Sequence, residues 1–449
     1  MSEKKLRRLP LAAAALVACV SAQAEYQSPD GKFRLSGFGT IGVVRNGTDD
    51  AEFNYPGQLG GATKRASLNP DSKIAVQGTY KLSPTVSATT QVLTKYDAEG
   101  QYIPNIEWAF AKWQAAPALS FRAGRMGAPY FMVSDFRDVG YANTMARPNI
   151  DVYGQVPVSQ FQGADASYQM NIGSSTVVTT LWAGDSKAQF AAAVTSPPLE
   201  VLIQGQIGLN IQADLSEGWS LRLGHMQGKL SLSNSKSRQL ADFANQLAAG
   251  ATQYASSAAP DAANGATAAA SFAQVDPLVN PSSLDASFTG VGLTYDQDAW
   301  VISGEFTKRK VAELAADTTA WYGNVGYRVG KFTPYFGLSK IKSDRRASNP
   351  VVLANLASAP DINAQSAVLH SLVDNVLGFQ KMDQKTTTLG VRWDAMSNLA
   401  IKAQLDRITK PADSNGMFFV PDPASTTAQN FLNSKRAVNV MTLSVDFVF

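Results

Sequence analysis

Side chains that break bonds are scarce in this chain: its 449 residues hold two histidines, His225 and His370, and one cysteine, Cys19. General acid–base or nucleophilic catalysis needs a base set beside a nucleophile or an activated water. His225 falls on the apolar parity of a strand-like stretch, and His370 in a long connection. No spacing of ligands supports a zinc site, and Asn46-Gly47-Thr48-Asp49-Asp50 reads as a turn before it reads as a cation site. No enzyme, cofactor or metal is therefore expected. What remains is fixed charge. The segment 126–160 carries the acids Asp135, Asp138 and Asp151 and the bases Arg137 and Arg147, while Lys73, Lys95 and Arg122 precede it in strand-like stretches. Charges facing each other across a narrow, partly dehydrated gap act on ions and polar solutes through their field. Two arrangements are open: the acids face Lys73, Lys95 and Arg122, or they pair with Arg137 and Arg147 inside the segment.

The ends of the chain set limits on where such a field can sit. MSEKKLRR followed by LPLAAAALVACV is a basic segment leading into an apolar run too short to cross a bilayer, and Ala22-Gln23-Ala24 fits cleavage before Glu25. Residues 1–24 therefore read as an export signal, with lipidation at Cys19 as the competing reading of Leu16-Val17-Ala18-Cys19. Ordinary cleavage leaves no cysteine and hence no disulfide. Without Glu3, Lys4, Lys5, Arg7 and Arg8 the two signs of charge balance, which argues against a nucleic-acid partner. Beyond the signal, no apolar run reaches the length of a transmembrane helix.

The elements that must position the charges are strands. In KIAVQGTYKL (73–82), Ile74, Val76, Tyr80 and Leu82 share one face and Lys73, Gln77, Thr79 and Lys81 the other. Stretches 219–228, 385–394 and 399–408 alternate in the same way, and sixteen segments follow, beginning near 32, 73, 86, 106, 118, 161, 174, 200, 219, 287, 299, 318, 331, 384, 399 and 437. At about ten residues each, they suit tilted strands crossing a hydrocarbon layer. Short connections alternate with long ones, the latter including 46–72, 126–160, 230–286, 343–383 and 409–436. A soluble sandwich also alternates. It gives tryptophans no reason to gather near strand ends, where most of the seven fall, and aromatic girdles at a membrane's two edges do. The expected fold is a single all-β domain over 25–449, a transmembrane antiparallel barrel with polar side chains lining a wet interior. Residues 237–275 are alanine-rich; SRQLADFANQLAAGA reads as a short helix and the rest as flexible, within an external loop.

The last ten residues, VMTLSVDFVF, put Met441, Leu443, Val445, Phe447 and Phe449 on one face and end on phenylalanine. This strand resembles the assembly signal of Gram-negative outer-membrane proteins. With sixteen strands and short–long connections, the mature chain resembles the general bacterial porins over nearly its full length. The resemblance implies passive diffusion of small hydrophilic solutes and ions through a barrel in the outer membrane. It implies a homotrimer among outer-membrane lipid and lipopolysaccharide, inserted by the outer-membrane assembly machinery. It also implies that 126–160, the third long connection, folds into the lumen as the constriction. The Pro-Glu-Phe-Gly-Gly motif of the best-known porins is absent from that segment, so their individual constriction residues do not transfer. A substrate-specific channel and a barrel serving as adhesin or receptor through its loops are the remaining readings.

Overall fold

The computed structural model describes residues 25–449 except 195, 313–315, 346 and 379. The export signal and Cys19 lie outside the described residues. Sixteen strands form the barrel: β1 Phe33–Asn46, β2 Lys73–Lys81, β3 Val86–Tyr96, β4 Tyr102–Ala116, β5 Leu119–Gly127, β6 Gln160–Ile172, β7 Ser175–Phe190 and β8 Leu199–Asp214, then β9 Trp219–Ser233, β10 Leu284–Gln297, β11 Trp300–Val311, β12 Asp317–Tyr327, β13 Phe332–Arg345, β14 Gln384–Met396, β15 Leu399–Lys410 and β16 Arg436–Val448. Each starts within four residues of the position read from the alternation. Each pairs antiparallel with its neighbours in sequence, and β16 pairs with β1 from Val440↔Asn46 to Val448↔Phe38. Closure removes every free edge, which a lipid environment requires because it offers backbone groups no partner.

Strand lengths run from nine to sixteen residues, and all but β2 and β5 exceed the ten expected. The outer face is an apolar band in which Ile74, Val76, Leu221, Leu223, Leu389, Met441 and Leu443 are all exposed. At the turn end of the barrel, rings pair across strands: Trp113 with Phe121, Trp219 with Tyr295, Trp300 with Tyr327 and Phe332 with Trp393, at centroid distances of 4.7–5.9 Å. That is an aromatic girdle. Trp182 departs from the expectation for tryptophans: it is buried near the middle of β7, its ring lying over Gly208, where a Cβ would collide with it.

Tight turns join the strands at one end, and eight connections, L1 to L8, join them at the other. L3 (128–159) includes the short helix α1 Ile150–Tyr153. L5 (234–283) is more ordered than its composition suggests. It holds α2 Ser235–Ala255, α3 Ala262–Phe272 and α4 Val275–Val279. Asn234 caps α2 reciprocally with Ser237. Ala241, Ala244, Leu247 and Ala251, at helical spacing, pack on Ala268, Phe272 and Val275 and on Leu369 and Val373 of α5 Pro360–Gly378 in L7. The helix read over 237–251 is present as α2, and the flexible reading of the rest, 252–275, fails because alanine, though weakly hydrophobic, lets helices approach closely enough to bury a shared face. L8 adds α6 Thr426–Asn433.

The chain's last residue belongs to the closure. Phe449 exchanges backbone hydrogen bonds with Gly37, N to O at 2.9 Å and O from N at 2.6 Å. The rings of Phe447 and Phe449 stack over Gly39 and Gly37, positions where a side chain would collide with them. Deleting Phe449 is therefore expected to lower the yield of heat-modifiable barrel in the outer membrane while export continues. Gel mobility of unheated and heated membrane fractions checks this, and unchanged yield would contradict it.

Candidate functional site: the inward third loop

After Gly127 the chain leaves β5 and enters the barrel. Its apolar residues decide where it rests: Tyr130, Phe131, Val152, Tyr153 and Val158 pack on Trp182, Val201, Met226, Phe288, Tyr322 and Ile341 from the inner wall of β7–β13. Phe131 meets Phe288 edge-on at 4.9 Å and Tyr153 at 4.6 Å. Burial of one such side chain contributes about 2 kcal/mol, so this cluster fixes the loop. It also corrects an expectation, since the external half of this wall is apolar where alternation implied water.

A loop inside a barrel has no neighbouring strand, so side chains must satisfy its backbone. Lys402 of β15, fully buried, donates to the Gly140 and Met145 carbonyls at 2.7 and 3.0 Å and pairs with Asp446 of β16 at 3.0 Å. Arg392 donates to the carbonyls of Tyr141 at 2.7 Å and Asn143 at 3.0 Å. Gln404 accepts the Ala146 amide at 2.9 Å. On the opposite wall, Glu305 of β11 accepts the Met132 amide and the Tyr153 hydroxyl, both at 2.9 Å, and Arg222 of β9 donates to Pro129 at 3.0 Å.

The residues singled out in the sequence divide into five groups. Asp138 meets Lys73 at 3.1 Å and Lys95 at 3.2 Å, with Arg137 of its own loop at 3.8 Å. Both arrangements left open by the sequence thus converge on one carboxylate. Burial alone would raise the Asp138 carboxyl, but the charges of Lys95, Lys73 and Arg137 outweigh it and hold the group well below the usual carboxylate range. Arg137 also donates to the Val158 carbonyl at 3.2 Å. Arg147 pairs with none of the loop acids: buried, it binds Asp71 of L1 at 2.6 Å and Asp406 of β15 at 3.1 Å, over the ring of Phe53. Arg122 lies on the inner wall as expected, yet it pairs with Asp165 on the adjacent strand β6, at 2.6 Å, instead of a loop acid. Asp135 is exposed.

Asp151 is buried and faces no base. It accepts from Gln384 at 2.5 Å, Ser339 at 2.7 Å and Thr386 at 3.2 Å. Burial dominates over these neutral donors, and the Asp406 carboxylate adds to it, so the Asp151 carboxyl is pushed up to about 6. His225 bonds Thr289 on the outer face at 2.8 Å, and His370 lies 3.2 Å from Asp374 on α5. Among the described residues, no three His, Cys, Asp or Glu side chains are grouped to hold a metal ion. Glu305, Asp165, Lys402, Asp406 and Asp446 carry much of the site and were not singled out in the sequence. Their only signal there was charge at an inward strand position.

No protein-family model and no curated protein sequence matches this chain. Its fold is similar to that of OmpF of Salmonella typhi, solved with daunomycin, at a TM-score of 0.51 and 12% identity over 95% of this chain and 100% of that one. It is also similar to the outer membrane channel DcaP of Acinetobacter baumannii, at a TM-score of 0.51 and 9% identity with the same coverage. At these identities the likeness is one of fold, a closed sixteen-stranded antiparallel barrel. Such a barrel, belted by exposed apolar side chains and an aromatic girdle, is a multi-pass protein of the outer membrane.

Because Asp151 releases its proton at a higher pH when folded than when unfolded, where carboxylates titrate near 3.9, its ionisation penalises the folded state. The penalty is absent below about pH 4, grows through about pH 6 and stays above it. The melting temperature of the wild-type barrel, measured against Asp151→Asn, should therefore improve as pH falls from 7 to 4. A difference that stays flat would show that Asp151 titrates normally.

Proposed function

We infer that this chain is a porin that lets small hydrophilic solutes and ions diffuse passively across the outer membrane, past L3, with no catalytic step. The observation that carries this reading is the cluster Lys73–Lys95–Asp138–Arg137, which ties L3 to the wall of β2 and β3 with opposed charges inside the lumen. The inner wall of β4–β6 supports it. There Lys112, Gln114, Arg122 and Ser167 remain half exposed, leaving a polar strip that L3 does not cover. Among the described residues Lys112 has no carboxylate partner. A homotrimer belongs to the same reading.

The test is planar-bilayer recording with the reversal potential read in a salt gradient. Asp138→Asn removes the acid that offsets three cations and should move selectivity toward anions; Lys95→Gln should move it toward cations. A unit charge about 8 Å from the ion path is worth about 0.5 kcal/mol at the dielectric of water, or about a twofold change in permeability ratio. The shift should shrink as salt rises. Conductance without a shift in either folded variant would mean that ions do not pass this cluster.

A further inference from the structure

On the external side of L3 lies a second feature that passive diffusion does not use. A cavity of about 930 Å3 opens between the loop and the helices of L5 and L7, within the roughly 300–1,000 Å3 range of small-molecule sites. Its surface is hydrocarbon: Val201, Ile203, Met226 and Phe288 from the strands, Leu240 from α2 and Leu372 from α5. A pore for sugars or salts gains nothing from an apolar antechamber.

One strong polar group reaches this surface. Arg309, near the external end of β11, donates to the carbonyls of Gln155 and, at 2.9 Å, Ala316. It makes no ion pair among the described residues, and its Nε is buried without a hydrogen-bond partner. Asp317, whose field reaches it, accepts the Val311 amide at 2.9 Å and does not form an ion pair with it. A guanidinium offers five donors; the two bonds above leave one N–H on each terminal nitrogen uncommitted, whereas Nε is enclosed by protein atoms. Lys236 on α2, exposed at the cavity, is a second cation without a carboxylate partner among the described residues. Among the described lining residues the single acid, Asp422, is exposed and accepts the Ala424 amide at 3.1 Å.

The geometry points to a binding site for an amphipathic monocarboxylate, an acid with an aryl or alkyl body, whose carboxylate meets Arg309 while its body lies on the apolar wall. A carboxylate matches the planar fork of a guanidinium, and hydrocarbon burial supplies affinity at about 25 cal/mol per Å2. A wholly apolar solute would leave the guanidinium without a counter-charge, and a small inorganic anion would leave the wall wet. The inference rests on the porin reading in one respect only: the site would select which solute enters the lumen.

The test uses the purified full-length protein, folded in detergent, and 3-[4-(trifluoromethyl)phenyl]propionate followed by 19F line broadening. The acid should bind at least tenfold more tightly than the corresponding alcohol. Arg309→Gln should erase that preference, and Arg309→Lys should restore part of it. Val376→Trp, filling the cavity from α5 without altering the barrel wall, should abolish saturable broadening. If Arg309→Gln fails to fold, the acid–alcohol contrast on the wild type together with Val376→Trp decides. Equal binding of acid and alcohol, or binding unchanged by Val376→Trp, overturns the site. Potassium chloride conductance is measured in parallel: binding without conductance removes the porin reading and keeps the site, and conductance without binding does the reverse.

Discussion

The structure turns on a constraint of backbone chemistry: a loop inside a barrel has no adjacent strand, and each peptide group it buries must find a partner on the wall. This chain meets the constraint with ionised side chains. Lys402 donates to two loop carbonyls and is neutralised by Asp446, and both are fully buried. Such a pair is stabilising only as a set, because removing one member strands the other charge away from water. The same logic explains Arg392 between L3 carbonyls and Asp394, and Glu305 between an amide and a phenol.

From that constraint follows an unequal division of the lumen. L3 takes its apolar packing from β7–β13 and its polar anchors from both walls, and it leaves Lys112, Gln114, Arg122 and Ser167 of β4–β6 half exposed. Polar and apolar lining are thereby separated along the axis: hydrocarbon lies outside the loop, around the cavity, and charge lies beside it at Asp138. The barrel interior thus presents two different surfaces in succession along its axis.

Much of the fold was legible because a strand facing lipid on one side and water on the other writes a period of two into the sequence. Lys73 and Lys95 could be placed inward from that period alone, and their convergence with a loop acid was one of two readings the residues allowed. Three things were not legible. The period reports which face a residue occupies but not what lies opposite, so Trp182, Met226 and Phe288 could not be recognised as a docking surface for L3. Arg122 found Asp165 because cross-strand neighbours on one face lie closer than any loop, a register effect that needs the pairing to be known. The second and third L5 helices, α3 and α4, were hidden because alanine carries little hydrophobic contrast, and a helix stabilised by close approach shows a weak period.

The clamp around Arg147 bears on how the molecule is made. It joins residues separated by 76 positions on one side and 259 on the other, reaching from L1 to the penultimate strand. Contacts so distant in sequence carry a large loop-closure entropy and form only when the intervening chain is already in place. The clamp therefore forms only after β15 has joined the sheet, alongside the still longer-range pairing of β16 with β1. An intermediate that lacks the last two strands has a wall but an unanchored third loop, because Asp406, Lys402 and Asp446 have yet to arrive.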